Sequence, residues 1–236
     1  MPAFEGSNIQ LELQHVLHRL HIDDADSVRN RPYREALSQG IPLVARKALP
    51  CIWFDTHPLS WISEGVLELH GRMLRVGKVV EKKLRGAHAC SVGIATIGAG
   101  VEETAREMKR KSLLHSLALE GLGAIALDAA LEEFFRHLDD AAAESGVHAG
   151  VPFSPGETEG WPLEDQRVIY GLLEDELGDV AITDSCLLVP KNSVSFLMGM
   201  YDHAVREEGD SHCNYCSMRN TCLYRPDSSN ALSHKE

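Results

Sequence analysis

Residues 89–103 read ACSVGIATIGAGVEE, and this stretch decides how the chain is built. The apolar run over 88–97 predicts a strand, closed by Gly98 and Gly100. Directly after it begins the longest helical pattern of the chain, 101–145, with glutamates at its start. A strand, a glycine turn and a helix in that order raise the question of a dinucleotide fold. GIATIGAG lacks the spacing G-x-G-x-x-G, so that fold is not indicated.

Working outward from this centre, the pattern stays mixed. Upstream, 8–21 reads as an amphipathic helix, with Ile9, Leu13, Val16, Leu17 and Leu20 at helical spacing. A second helix is predicted over 32–47, carrying Leu37, Ile41 and Val44 and stopped by Pro50. CIWF (51–54) reads as a short buried strand. VLEL (66–69), the turn His70-Gly71 and RMLRV (72–76) read as a hairpin, followed by a charged helix over 78–85. Downstream, the long helical segment is predicted to break or bend at residues 120–123, where Gly121 and Gly123 sit, and to end at Gly146 and Gly150. PFSPGETEGWP (152–162) is a loop, 163–173 a helix, and 180–183 and 193–200 short strands. There is no internal repeat and no β-α-β rhythm. The prediction is an α+β fold with a twisted, mainly antiparallel sheet and flanking helices.

Composition narrows the function classes. The chain has 236 residues, 44% hydrophobic and 25% charged, which suits one large domain or two small ones. No apolar run is seen to approach the ~20 residues that cross a bilayer, so no membrane partner is expected. The start, MPAFEGSNIQLELQ, has no basic segment followed by an apolar core, which predicts a cytoplasmic protein. Disorder is expected at the ends, chiefly PDSSNALSHKE. Lys and Arg number 23 against 35 Asp and Glu, a net charge of −12. That balance argues against a nucleic-acid partner held by phosphate neutralisation.

Two stretches carry chemistry. Cys213, Cys216 and Cys222 crowd into ten residues. In a reducing compartment, three clustered thiols point to a metal, because a CxxC turn sets two thiolates on one ion and a third adds most of a shell. The fourth ligand is open between Cys186, Cys51, Cys90 and His212. A neighbouring histidine suits Zn2+, and a remote cysteine suits zinc or an iron–sulfur cluster. The second stretch is Ser154-Pro155-Gly156, followed by Trp161-Pro162. It is either a plain loop or a rigid turn that lets a ligand approach the backbone. Asp128 stands among Ile125, Leu127, Leu131 and Phe134, so it is either a solvated edge residue or a buried carboxylate that needs a partner. The twelve histidines form no metal-spaced pair, and His15 and His18 lie on a packing helix.

Taken in order, ATIGAGVEE, LGAIALDAALEEF, FSPG with WPLEDQRVIYGLL, and TDSCLLVPKNSVSFLMGM resemble the activation (reactivation) domain of cobalamin-dependent methionine synthase. The tail CNYCSMRNTCLYR resembles that of short stand-alone members. The resemblance divides the chain into an activation-domain-like unit, 1–205, and a Cys-rich metal-binding tail, 206–236. It implies a reactivation partner rather than a complete enzyme. Such a module docks on a corrinoid-binding protein, or on a methionine synthase lacking its own activation domain. It supports reduction of cob(II)alamin and its remethylation from S-adenosylmethionine (AdoMet), the cobalamin being carried by the partner. It also implies cofactor contacts at Asp128, Ser154, Pro155 and Gly156. For the tail it favours an iron–sulfur cluster over Zn2+ on Cys213, Cys216 and Cys222, with Cys186 as fourth ligand or an open fourth site. The AdoMet loop of the family reads R-x-[SA]-P-G-Y. Here Pro152 stands at the Arg position and Glu157 at the Tyr position, so weak or absent AdoMet binding is expected. The alternative is a non-catalytic metal-bearing scaffold that kept the fold and lost the methyl donor.

Overall fold

The computed structural model describes residues 3–7, 9–22, 24, 26–207 and 209–222. Its centre is the predicted strand, β6 (Ala89–Thr96). β2 (Cys51–Pro58) and β10 (Ser193–Tyr201) pair with it on either side, Cys51 and Ser193 both opposite Thr96. β1 (Ala3–Glu5) and β7 (His148–Ala149) complete a five-stranded antiparallel sheet in the order β1-β2-β6-β10-β7. Alternation along β6 sends Cys90, Val92 and Ile94 to one face and Ala95 to the other. β10 does the same with Leu197 against Phe196 and Met198.

One face of the sheet is covered by a meander and two helices. β3 (Ser60–Ser63), β4 (Val66–Leu69) and β5 (Arg72–Leu74) form the meander, and α3 (Gly77–Lys83) follows it. α6 (Gln166–Leu173) enters through a 3-10 turn at Leu163–Asp165. Leu67, Leu69, Val80, Ile169 and Leu173 pack there against Val92, Ile94 and Leu197. The hairpin predicted at 66–76 is present, and the structure adds β3 to it. The predicted strand at 180–183 is β8 (Ala181–Ile182), paired with β9 (Leu188–Val189).

The other face is covered by one helix, α5 (Leu113–Ser145), about 50 Å long at 1.5 Å per residue. Its Phe134 meets Phe4, Phe54, Phe135 and Phe196. The N-terminal half of α5 forms a second core with α1 (Leu13–Arg19), α2 (Arg31–Lys47) and α4 (Gly100–Lys109). The long helical segment does break, but not where the glycines predicted. The break is at residues 110–112, where Ser112 caps α5 by accepting from the His115 backbone N–H. Gly121 and Gly123 both run inside the helix, and at Gly123 a neighbour needs the space. A Cβ on Gly123 would lie 2.7 Å from Asn192, and one on Gly40 of α2 would lie 2.6 Å from Leu122. Their cost in helix propensity is offset by this close approach. The first helix is also shorter than the predicted 8–21, and Asn8 lies outside the described residues, as does PDSSNALSHKE.

The stretch Leu113–Ala142 is long and apolar enough to span a bilayer, which the run-length reading of the sequence missed. It packs as a core helix against α2, α4 and the sheet, as in a soluble protein.

Candidate functional site

Where α5 passes over the end of β10 it does not fill the space, and a cavity of about 420 Å3 opens. Two stripes of α5 form its floor. Leu127, Leu131 and Phe135 make one, and Asp128, Glu132 and Arg136 the other, both with the spacing of four that places side chains on one helix face. Val194 and Phe196 rise from the sheet, and the rings of Phe135 and Phe196 stand edge to face at 6.3 Å. Pro152, Ser154 and Glu157 supply a loop wall. The remaining wall is the C-terminal tail, through Arg206, Asp210, His212 and Cys213.

The cavity is charged. Arg19, buried on α1, makes an ion pair with Asp128 and approaches Glu132 at 3.6 Å. Its Nε has no hydrogen-bond partner among the described residues. Arg206 pairs with Asp139 at the far end. The surrounding protein strips solvation from Asp128 and pushes its carboxyl above the ordinary value, against the pull of Arg19 and His212. The same desolvation raises Glu157; His212 opposes the shift and Asp128 adds to it. Burial also pushes the Cys213 thiol up, with Asp128, Cys222 and Cys216 adding and Arg19 opposing. The arrangement offers carboxylates for a cationic centre, guanidiniums for an anion and two rings for an aromatic body.

The sequence-predicted loop residues divide between cavity and scaffold. Ser154 faces the cavity. Its backbone N–H donates to Thr158 Oγ1 at 3.0 Å, and its carbonyl accepts from the Thr158 N–H at 3.0 Å. Pro155 is buried. Gly156 has φ of +79° and donates its N–H to the Trp161 carbonyl at 2.9 Å, a conformation that favours glycine. WPLEDQ fastens the loop to the covered face. Asp165, 2% exposed, accepts from the Trp161 indole N–H at 3.2 Å and from the Arg75 side chain at 2.8 and 3.1 Å. Gln166 accepts from Ser195 Oγ at 3.0 Å and donates to the Cys186 carbonyl.

The tail cysteines lie in one segment, opened by a 3-10 turn at His212–Tyr215. Cys213 faces the cavity, with Sγ 3.5 Å from His212 Nε2. Cys216 bridges to Thr158. Cys186 is held to Gln166 on the α6 face, across the sheet from the cavity, and Cys90 is buried on that same α6 face. Among the described residues no three His, Cys, Asp or Glu side chains are gathered as a metal needs. The tail donors are of the right chemistry, but they are not assembled here as a coordination shell.

Sequence reasoning missed Arg19, Glu132, Arg136, Phe135 and Phe196. The spacing Asp128, Glu132, Arg136 was a signal available in the sequence. Arg19 had none, because the contact of α1 with α5 is tertiary.

No family model and no curated protein matches the chain. Among solved structures it is similar to the MetH reactivation domain bound to AdoHcy, with a TM-score of 0.52, 11% identity, and coverage of 88% of this chain and 81% of that one. At that identity the likeness is one of fold, and it agrees with the α+β architecture and antiparallel sheet read from the sequence.

Proposed function

We propose that this chain is a cytoplasmic reactivation partner of a corrinoid-dependent methyltransferase, and that its cavity takes a ligand of the AdoMet and AdoHcy class. One observation carries the reading. In a chain with the fold of a reactivation domain, the cavity is bounded by the Ser154 loop, a charged stripe of α5 and the Phe135–Phe196 pair. A sulfonium nucleoside offers a matching set of groups: a positive sulfur and ammonium, a carboxylate and a flat base. Asp128 and Glu157 would hold positive charge, and the two rings would bound the base. The loop carries Pro152 where the family has arginine, but the cavity draws guanidiniums from α1, α5 and the tail instead.

The corrinoid, when bound by the partner, supplies the cobalt that accepts an electron and a methyl group. This chain's part is to hold the donor and exclude water from it, so that both arrive at one place. An iron–sulfur cluster on Cys213, Cys216 and Cys222, with Zn2+ as the alternative, is part of the proposal, and no step above depends on it. Metal analysis and visible spectra after anaerobic purification test that part.

Calorimetric titration of the whole chain with AdoHcy tests the main claim. Saturable binding that Asp128→Asn weakens at least tenfold supports it. Absence of heat at millimolar AdoHcy overturns it and leaves the metal-bearing scaffold as the reading.

A further inference from the structure

We infer that Arg136 is the residue that fixes the anionic end of the cavity's ligand and so sets its specificity, an inference that rests on the ligand class proposed above. Three arginines line the cavity among the described residues, and two are committed. Arg19 is taken by Asp128 and Glu132, and Arg206 by Asp139. Arg136 makes no ion pair and no hydrogen bond with any described residue, although Glu132 stands one helical turn before it, at the spacing where a pair forms on an exposed helix. Glu132 is instead engaged by Arg19 across the helix interface. The exposed Arg136 guanidinium is therefore a free cation at the rim of a cavity that otherwise holds an excess of carboxylates.

Its place on α5 gives the ligand a direction. Asp128 and Arg136 are eight residues apart on one face, about 12 Å along the axis. Helical side chains lean toward the N-terminus, so the long Arg136 side chain leans back toward Asp128 and shortens that gap. Phe135 borders the same stretch of floor and meets Phe196. The cavity thus runs from the Arg19–Asp128 pair with Glu157, past Glu132 and two rings, to the unpaired Arg136 guanidinium beside the Arg206–Asp139 pair. That sequence of groups selects a dipolar ligand with a carboxylate over a neutral nucleoside. A guanidinium is suited to the anionic end because its planar fork can hold both carboxylate oxygens.

The test compares AdoHcy with 5′-methylthioadenosine, which keeps the nucleoside thioether and lacks the amino-acid group. Both are titrated into the whole chain, wild type and the variants Arg136→Gln and Arg136→Lys, with thermal melts to confirm that each folds. Arg136→Gln is expected to weaken AdoHcy by about ten- to a hundredfold, the range of one charge-assisted contact, and to leave methylthioadenosine within about twofold. Arg136→Lys, which keeps the charge and loses the fork, is expected to recover only part of the loss. Unchanged AdoHcy affinity in Arg136→Gln overturns the inference, and so does an equal loss for both ligands, which would mark an effect of cavity shape. A wild type that binds methylthioadenosine as tightly as AdoHcy overturns it while sparing the wider reading. A wild type that binds neither overturns both.

Discussion

The two faces of the central sheet are covered by different means, and the difference separates what holds this molecule together from what it does. The α6 face is closed. Meander, α3 and α6 fill it with Leu, Ile and Val, and Asp165, the one buried carboxylate among the described residues, has a backbone N–H, an indole and a guanidinium as partners. The α5 face is closed by a single rod. Aromatic rings fill its middle, and its end is left open, walled by charges that do not balance. Asp165, with its partners in place, serves the architecture, whereas the unbalanced charges at the open end leave room for a ligand.

The sharpest way to break that comparison is Asp165→Ala. It strands the Trp161 indole N–H and the Arg75 backbone N–H, and it removes a charge-assisted pair. A loss of about 3 kcal/mol is expected in urea unfolding. A loss below about 1 kcal/mol would show that the closed face does not depend on this carboxylate.

Gly93→Ala probes the α5 face, where Gly93 lies opposite Phe196. An added Cβ would sit 2.2 Å from Phe196 Cζ, so this ring, which lines the cavity, must shift. Overpacking of this kind costs about 1–3 kcal/mol. The variant is expected to lose AdoHcy affinity as well as stability, and a stable variant with unaltered binding would detach Phe196 from the site.

His57 gives a smaller effect, tied to pH. Its ring is buried at the end of β2, 4.5 Å edge to face from His70, and burial holds its pKa below the ordinary 6.5, with Asp55 opposing and His70 adding. The folded chain therefore prefers the neutral ring. This contribution is complete above about pH 6.5, where the unfolded chain is also neutral, and it is lost as pH falls through 6.5 toward the lower folded value. The slope is at most about 1.4 kcal/mol per pH unit. Urea midpoints at pH 7.5, 6 and 5 should fall less steeply in His57→Asn than in the wild type.

The smallest expected effect is none. Burial pushes the Cys90 thiol up to about 12. Iodoacetamide at pH 8 should leave Cys90 unmodified in the folded chain and alkylate it in urea, as peptide mapping would show. Native labelling of Cys90 would mean that the α6 face opens.

The sequence carried the fold further than the site. β6, the hairpin and the Ser154 loop were legible because apolar runs and Pro–Gly punctuation are local signals. The position of the helix break was not, because a glycine such as Gly123 looks the same in sequence whether it bends a helix or admits Asn192. Asp128 was found through its apolar neighbours, with its role supplied by the family likeness. Arg19, its partner, is 109 positions away and belongs to a helix that reads as ordinary packing. Pro152 was read as a lost cation from the loop alone, and no inspection of the loop could show that α1, α5 and the tail bring three arginines to the cavity.

The tail that walls the cavity is fastened in two ways, and this exposes the site to the ionic strength of its surroundings. Beyond Cys213 it is stitched to the loop by backbone bonds, Glu159 to Tyr215 at 3.0 Å and Ser217 to Glu157 at 2.8 Å, with Tyr215 set against Phe153. Before Cys213 its ties to the body among the described residues are Arg206 with Asp139 and Lys83 with Asp210, the latter at 3.3 Å. Added salt screens partly exposed pairs and leaves backbone bonds and ring contacts nearly untouched. Concentrated electrolyte should therefore loosen the stretch from Arg206 to Ser211 while the stitched end stays in register, so one wall of the cavity responds to its solution while the other three do not.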